Sequence, residues 1–291
     1  MNIRDLKYLI ALAQHGHFGT AAKRCFDSQP ALSMQIKKLE EDLGVQLFER
    51  GPKTLSPTDI GQHIIGLAHQ VLNLVDEMYK TAESNDPYAG ELKVGIFPTL
   101  GPYLLPRIIP ALKISFPKLK IYLIEEKTPV LVEKLMLGEI HAAFLAEPFK
   151  PYEGLSGEFL FQEEFLLAVP SDHPFSQAET VSLPQLQDLP LMLLSEGHCL
   201  REQALSVCQH AAATEFQSFQ ATSLETLRHM VAMGLGSTLM PKLACLPTHN
   251  VCYLPFAAPQ STRSILLYGK KESSKHVLLK SIAEEIKRTL A

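Results

Sequence analysis

The chain has 291 residues, 46 % apolar and 20 % charged, with a net charge of −4, enough apolar content for substantial cores and too much for intrinsic disorder. Five cysteines in this length exclude a disulfide-built secreted domain, and no run of about 18 apolar residues offers a membrane span. The start, Met1-Asn-Ile-Arg-Asp-Leu-Lys, lacks an apolar leader, so a cytoplasmic protein without a membrane partner is expected.

Residues 1–57 hold eight Lys/Arg against six Asp/Glu, whereas 58–87 hold one against five. A mildly basic head on an acidic remainder fits a nucleic-acid module on a larger body. Within the head, Asn2 caps a helix whose Leu6, Leu9, Ile10 and Ala13 recur at helical spacing. A short second helix is expected over 20–25. Ser28 caps a third that runs to Leu43 and stops at Gly44. Leu32, Ile36, Leu39 and Leu43 form its inward stripe. Ser28, Gln29, Pro30, Ser33, Met34 and Lys37 therefore occupy its first turns and outer face. A helix-turn-helix reads bases from that part of its second helix: Gln suits adenine edges, Ser adapts, and Lys reaches guanine or phosphate. A hairpin with Gly51-Pro52 at its turn follows, and its Arg50 and Lys53 are candidate phosphate contacts. Periodicity alone leaves a plain three-helix bundle as the other reading.

Thr58 caps a long helix to about Glu83, with Ile60, Ile64, Leu67, Val71, Leu74 and Met78 spaced 4, 3, 4, 3 and 4. That heptad seam predicts self-association into a homodimer. The segment Ser84-Asn-Asp-Pro-Tyr-Ala-Gly90 reads as a hinge. Beyond it, strands are expected at 92–97, 120–125, 140–146, 159–169 and 191–194. Helices are expected at 103–115, 130–137, 223–233 and 273–290. This alternation predicts an α/β body with mostly parallel sheets. The expected organisation is a winged helix-turn-helix domain over 1–58, a linker helix and hinge over 59–89, and a regulatory domain of two α/β lobes over 90–291.

The head resembles the LysR-type transcriptional regulators at Phe18, Ala21-Ala22, Ser28-Gln-Pro-Ala-Leu-Ser33, Ile36, Leu39-Glu40, Leu43-Gly44 and Leu47-Phe-Glu-Arg50. The body is similar to the family's peroxide-sensing branch over Pro98-Thr-Leu-Gly-Pro-Tyr-Leu-Leu-Pro106, Glu196-Gly-His-Cys-Leu-Arg201 with Cys208, and Ala221-Thr-Ser-Leu-Glu-Thr-Leu-Arg228. Gly19, Thr20 and Ser218 depart from the arginines and histidine expected there. The resemblance implies a periplasmic-binding-protein-like body and a homo-oligomer, commonly a homotetramer, that changes its grip on promoter DNA when oxidised. It also implies hydrogen peroxide as signal, RNA polymerase as partner, activation of peroxide-defence genes, and a glutaredoxin-type reductant as reset.

By that resemblance Cys199 is the peroxidatic thiol, Cys208 resolves it as a disulfide, and Thr99 and Thr128 line the peroxide pocket. Only a few per cent of a free thiol, pKa about 8.5, is thiolate at neutral pH. His198 adjoins Cys199 and Arg201 lies two residues on, as candidate proton donor and fixed positive charge; Arg263 is a further candidate polar contact. If the intervening stretch is one helix, nine residues separate the two cysteines by about 13–14 Å. A disulfide needs Cα atoms within about 7 Å, so the bond must unwind that segment. No cofactor is expected; Cys245, His249 and Cys252 lack a fourth metal ligand. The competing functions are a regulator answering a small organic effector and, ranked last, a thiol peroxidase.

Overall fold

The computed structural model describes residues 1–50, 55–83, 86–147, 153–187, 189–211, 214–258 and 260–291. Its contacts divide into two compact units, Met1–Asp86 with Met136–Glu139, and Pro87–Leu135 with Ile140–Ala291.

The first unit begins with α1 (Ile3–His15). Asn2 accepts from the Arg4 and Asp5 amides while the Asp5 carboxylate accepts from the Asn2 amide, closing both ends of a capping box. α2 (Phe18–Arg24) starts two residues earlier than its apolar pattern suggests, because His17 Nδ1 accepts from the Gly19 amide and caps it. α3 (Gln29–Leu43) is capped by Ser28 and ended by Gly44 at φ 70°, as expected. Leu32, Ile36 and Leu39 are buried against Leu6, Leu9, Leu12, Ala21 and Ala22. Leu43 departs from the expected stripe: it is 37 % exposed, because the helix ends there, beyond the reach of the two helices it packs on. β1 (Phe48–Arg50) and β2 (Leu55–Pro57) pair antiparallel, completing the wing. The Gly51-Pro52 turn and Lys53 lie outside the described residues.

Between α2 and α3 the chain turns through Phe26 at φ 55°, with the ring 98 % exposed. The Phe26 amide donates to the Lys23 carbonyl and the Asp27 amide to the Ala22 carbonyl. This helix stop needs a left-handed residue and ordinarily takes glycine.

α4 (Asp59–Glu83) is capped by Thr58, whose Oγ1 accepts from the Gly61 amide at 2.9 Å. Position 61 must be glycine, because a Cβ there would run into the Leu47 carbonyl. One face of α4 buries Ile65 and Ala68, with Ile64 and Leu72, on the head's core. The rest of the heptad seam faces outward: Ile60, Leu67, Val71, Leu74 and Met78 are exposed, from 40 % at Val71 to 72 % at Met78.

In the second unit, β3 (Gly90–Ile96), α5 (Gly101–Ser115), β4 (Leu119–Glu125), α6 (Thr128–Leu137) and β5 (Ala142–Glu147) form a parallel unit with β3 central. β6 (Leu155–Pro170) then runs 16 residues from this lobe into a second one. The second lobe holds β7 (Pro190–Leu194), α7 (Cys199–Ala211), β8 (Thr214–Ala221), α8 (Leu224–Ala232), β9 (Thr238–Pro241) and β10 (Val251–Pro255). β11 (Thr262–Lys270) returns to the first lobe, and α9 (His276–Leu290) packs on α5 and β6. Ser223 caps α8 through the Thr226 amide, as its position suggested.

The large sheet runs β10-β6-β11-β5-β3-β4, with β9 also on β6. It corrects the expectation of mostly parallel sheets: β11 pairs antiparallel with both β5 and β6, and β6 pairs antiparallel with β9 and β10. Among the described strands, β3 with its two neighbours and β7 with β8 pair parallel. The reason is the double crossing between lobes, which threads β6 out and β11 back side by side.

Phe26 carries a left-handed backbone that costs a bulky residue about 1 kcal/mol. Phe26→Asn is therefore expected to raise the stability of the head by roughly that amount, read as a higher denaturation midpoint; an unchanged or lower midpoint would contradict the strain.

Candidate thiol site and nucleic-acid interface

The body's reactive chemistry gathers around one buried cation. Arg263, the second residue of β11, stands directly opposite Glu163 in the β6 ladder, and both side chains are almost completely buried. Arg263 Nε and Nη2 meet Glu163 Oε2 at 2.8 and 2.7 Å. Its Nη1 donates to Thr99 Oγ1 and its Nη2 to the Thr99 carbonyl, both at 3.3 Å. The guanidinium also lies 5.2 Å from the Phe97 ring centre and 5.6 Å from that of Phe165. Glu163 Oε1 accepts from the Leu243 amide at 3.0 Å.

Cys199 is the first residue of α7. Burial pushes its thiol above the ordinary range; the Arg263 charge, the Thr128 hydroxyl and the amides of Leu200 and Cys199 itself pull the other way. Burial prevails, so the resting sulfur is a protonated thiol placed among groups that favour its anion. Thr128 Oγ1 is buried and has no well-aligned partner among the described residues, which leaves its hydroxyl available beside the sulfur.

The site residues expected from the sequence separate here. Thr99 from the turn before α5, Thr128 and Cys199 from the starts of α6 and α7, and Arg263 from β11 come together, Arg263 bonding Thr99 and acting with Thr128 on the thiol. Arg201, expected to charge the thiol, directs Nη1 to the Leu194 carbonyl at 3.0 Å; the cation the thiol feels is Arg263. His198 is buried, and burial followed by the Lys127 charge holds its imidazole below the usual range, so it stands as a neutral donor or acceptor. Glu163 was missed: it lies 36 residues before Cys199 with no motif around it, and only the β6–β11 register reveals it.

Cys208 lies on the same helix as Cys199, its side chain outside the described ones. Nine helical residues separate their backbones by about 13–14 Å. The other thiols differ in setting. Cys245 Sγ donates to the Pro241 carbonyl at 3.4 Å, and burial pushes it up to about 12. Cys252 Sγ donates to the Ser176 carbonyl at 3.8 Å, and Cys25 closes α2 with its thiol raised by burial and then by Asp27. Among the described residues no three His, Cys, Asp or Glu groups come close enough to hold a metal. Nor is any described helix long and apolar enough to cross a membrane.

On the head, α3 presents Gln29, Pro30, Met34 and Lys37 to solvent beside the capping Ser28, with Ser33 half-buried. Lys37 is loosely paired with Glu41 at 3.7 Å. Arg50 lies on β1, its side chain outside the described ones. At the base, Asp27 accepts from Arg4 at 2.6 Å, from the Tyr8 hydroxyl and from the Ser28 amide at 2.7 Å, tying α1 to the start of α3.

A winged helix-turn-helix and a two-lobed body with a half-buried thiol make the architecture of a signal-responsive transcriptional regulator. Residues 3–62 match the bacterial regulatory helix-turn-helix protein model of the lysR family, and residues 85–291 match the LysR substrate binding domain. The chain belongs to the LysR family of transcriptional regulators, and within it to the group of hydrogen peroxide-inducible genes activators that includes OxyR. It is 44 % identical over 291 residues to the DNA-binding transcriptional dual regulator OxyR of Escherichia coli (strain K12), covering 99 % of this chain and 95 % of that one. The structure of a full-length cysteine-to-aspartate variant of OxyR from Pseudomonas aeruginosa superposes with TM-score 0.79 at 35 % identity, covering 99 % and 95 % of the two chains. A cysteine-to-serine variant of Corynebacterium glutamicum OxyR, described as H2O2-bound, gives TM-score 0.68 at 31 % identity, covering 99 % and 92 %.

Two outcomes follow. Glu163→Gln strips Arg263 of its buried counter-charge and should destabilise the body by about 3–5 kcal/mol, read by denaturant unfolding; a loss under 1 kcal/mol would contradict it. With its pKa raised, Cys199 holds less thiolate at pH 8.5 than an ordinary thiol. Its alkylation at that pH should be slower in native reduced protein than in urea-unfolded protein, and should keep climbing as pH rises further; equal rates would contradict the burial.

Proposed function

We propose that this chain is a peroxide-sensing transcriptional regulator switched by a disulfide between Cys199 and Cys208. The observation that carries the reading is Cys199 at the head of α7, half-buried beside Thr128 and under the Arg263 charge, with Cys208 on the same helix. Hydrogen peroxide is small and uncharged enough to enter such a site. Thr128, and Thr99 beside Arg263, are suited to hydrogen-bond its oxygens. The sulfur gives up its proton and attacks one oxygen; the O–O bond breaks and the departing hydroxide takes up a proton as water, for which neutral His198 is the candidate relay. Arg263 and the amides at the start of α7 offset the negative charge as it develops. Cys199 is left as a sulfenic acid, which the Cys208 thiol attacks, releasing a second water and closing the disulfide.

Two backbones about 13–14 Å apart on one helix cannot be bridged, because a disulfide needs Cα atoms within about 7 Å. Closing the bond therefore unwinds α7, and a covalent event biases a two-state element. Arg201 leaves the Leu194 carbonyl in that change. A glutaredoxin-type dithiol resets the switch.

The proposed organisation assigns 1–58 to DNA binding, 59–89 to dimerisation and 90–291 to redox sensing. Ser28, Gln29, Pro30, Ser33, Met34 and Lys37 enter the major groove, and Arg50 and Lys53 hold the backbone from the wing. The outward seam of α4 supports a homodimer that sets two reading helices on successive half-sites, the assembly being commonly a tetramer in this family. The regulator acts in the cytoplasm on promoter DNA and RNA polymerase.

Mass spectrometry of peroxide-treated protein tests the switch. The expected result is a Cys199–Cys208 linkage with loss of two thiols per chain. Cys199→Ser should abolish the peroxide response while DNA binding persists. A Cys199→Ser protein that still responds, or treated protein without the linkage, sinks the reading.

A further inference from the structure

We propose that Lys127 is a positioning residue that clamps the loop carrying Cys199 in its resting place and thereby sets how readily the switch is reset; the second half of this rests on the disulfide reading above. Lys127 is held firmly on the first lobe. The amide of Glu126 donates to the Ile96 carbonyl at 3.2 Å, extending the β3–β4 ladder, and the Lys127 carbonyl accepts the first bond of α6 from Leu131 at 3.0 Å. Its side chain then reaches the second lobe. Nζ donates to the Glu196 carbonyl at 2.7 Å, three residues before Cys199, and the side-chain stem lies over Gly197. That glycine has φ 83°, and a Cβ on it would stand 3.0 Å from Lys127 Cδ, so the loop is shaped to let the stem pass.

Two cations thus hold two carbonyls at the end of β7 and in the loop to α7: Arg201 on Leu194 from α7 itself, and Lys127 on Glu196 from the opposite lobe. Only the first travels with α7 when it unwinds. Lys127 is fixed to the lobe that supplies Thr128 and Arg263, so its bond keeps Cys199 beside those two groups and must be released for the sulfur to move toward Cys208. A contact made in the resting state and lost in the bridged state favours the resting state by its own free energy, and hence makes the disulfide easier to reduce. His198 carries the imprint of the same approach, since the Lys127 charge disfavours its protonation.

The test uses full-length protein with Lys127→Met, which keeps the stem and removes the donor, and Lys127→Arg, which restores a donor. The first readout is the rate at which iodoacetamide alkylates Cys199 in the reduced protein, followed by peptide mass spectrometry. Lys127→Met should accelerate it about threefold to tenfold, the worth of one charge-assisted hydrogen bond at a partly exposed site. The sign is informative: losing a cation near a thiol would, through ionisation alone, slow alkylation, so acceleration reports a loosened loop. The second readout is equilibration of the Cys199–Cys208 pair with glutathione. The same factor makes the potential of Lys127→Met about 15–30 mV more negative, with Lys127→Arg close to the unsubstituted protein in both readouts. An unchanged or slower alkylation rate overturns the clamp, and an unchanged potential overturns its role in resetting. Absence of any linkage in the unsubstituted protein overturns the disulfide reading instead, while the alkylation arm still decides whether the clamp exists.

Discussion

A guanidinium with essentially no access to water is the constraint around which the body is arranged. Burying a guanidinium cation obliges the fold to supply a counter-ion and partners for its remaining donors. Glu163 is the counter-ion, placed by the β6–β11 register, and Thr99 takes the remaining bonds. A slip of β11 by one residue would turn Arg263 to the other face of the sheet and leave Glu163 buried alone. The pair therefore fixes strand register and, by the same act, aims a positive charge at the Cys199 thiol. Structural necessity and chemical usefulness coincide in one residue.

Burial and that charge pull the thiol in opposite directions, and the balance suits a sensor. A sulfur kept protonated by desolvation is a poor nucleophile in the resting state. Once a small peroxide is seated, the groups that stabilise the anion are already in position and need no reorganisation. The start of α7 adds two amides to the same task. In the proposed switch, the groups that stabilise the anion and the helix that unwinds occupy the same few residues.

Local features were legible in the sequence because they are decided by neighbours. The caps at Asn2, Ser28, Thr58 and Ser223 and the stop at Gly44 each depend on residues within one helical turn, and each is found where the residue types put it. The lysR-type head and the Gly-His-Cys-Leu-Arg run identified the family for a similar reason, through contiguous motifs. What needed tertiary placement was hidden. The antiparallel course of β11 brings together residues 100 positions apart, and no periodicity records that. Glu163 is one acid among 31 Asp and Glu residues until the ladder singles it out. Arg201 looked like the thiol's cation because it is near in sequence, yet two residues of helix, about 200°, turn it to the Leu194 carbonyl. Leu43 looked like core because its period is right, but the stripe outlasts the surface it packs on.

The course of β6 bears on what kind of motion the body can use. Two-lobed binding domains commonly respond by swinging their halves together over a ligand on flexible connectors. Here a continuous strand of 16 residues is hydrogen-bonded to β11 along its first part and to β9 and β10 along its second, with the Glu163–Arg263 pair near the crossing. Such a girder resists wide hinge opening, since bending it would break ladder bonds on both sides and expose a buried ion pair. In the proposed switch the message is sent instead by rewriting a short stretch of chain while the frame stays still, and a covalent bond is a strong enough pen for that.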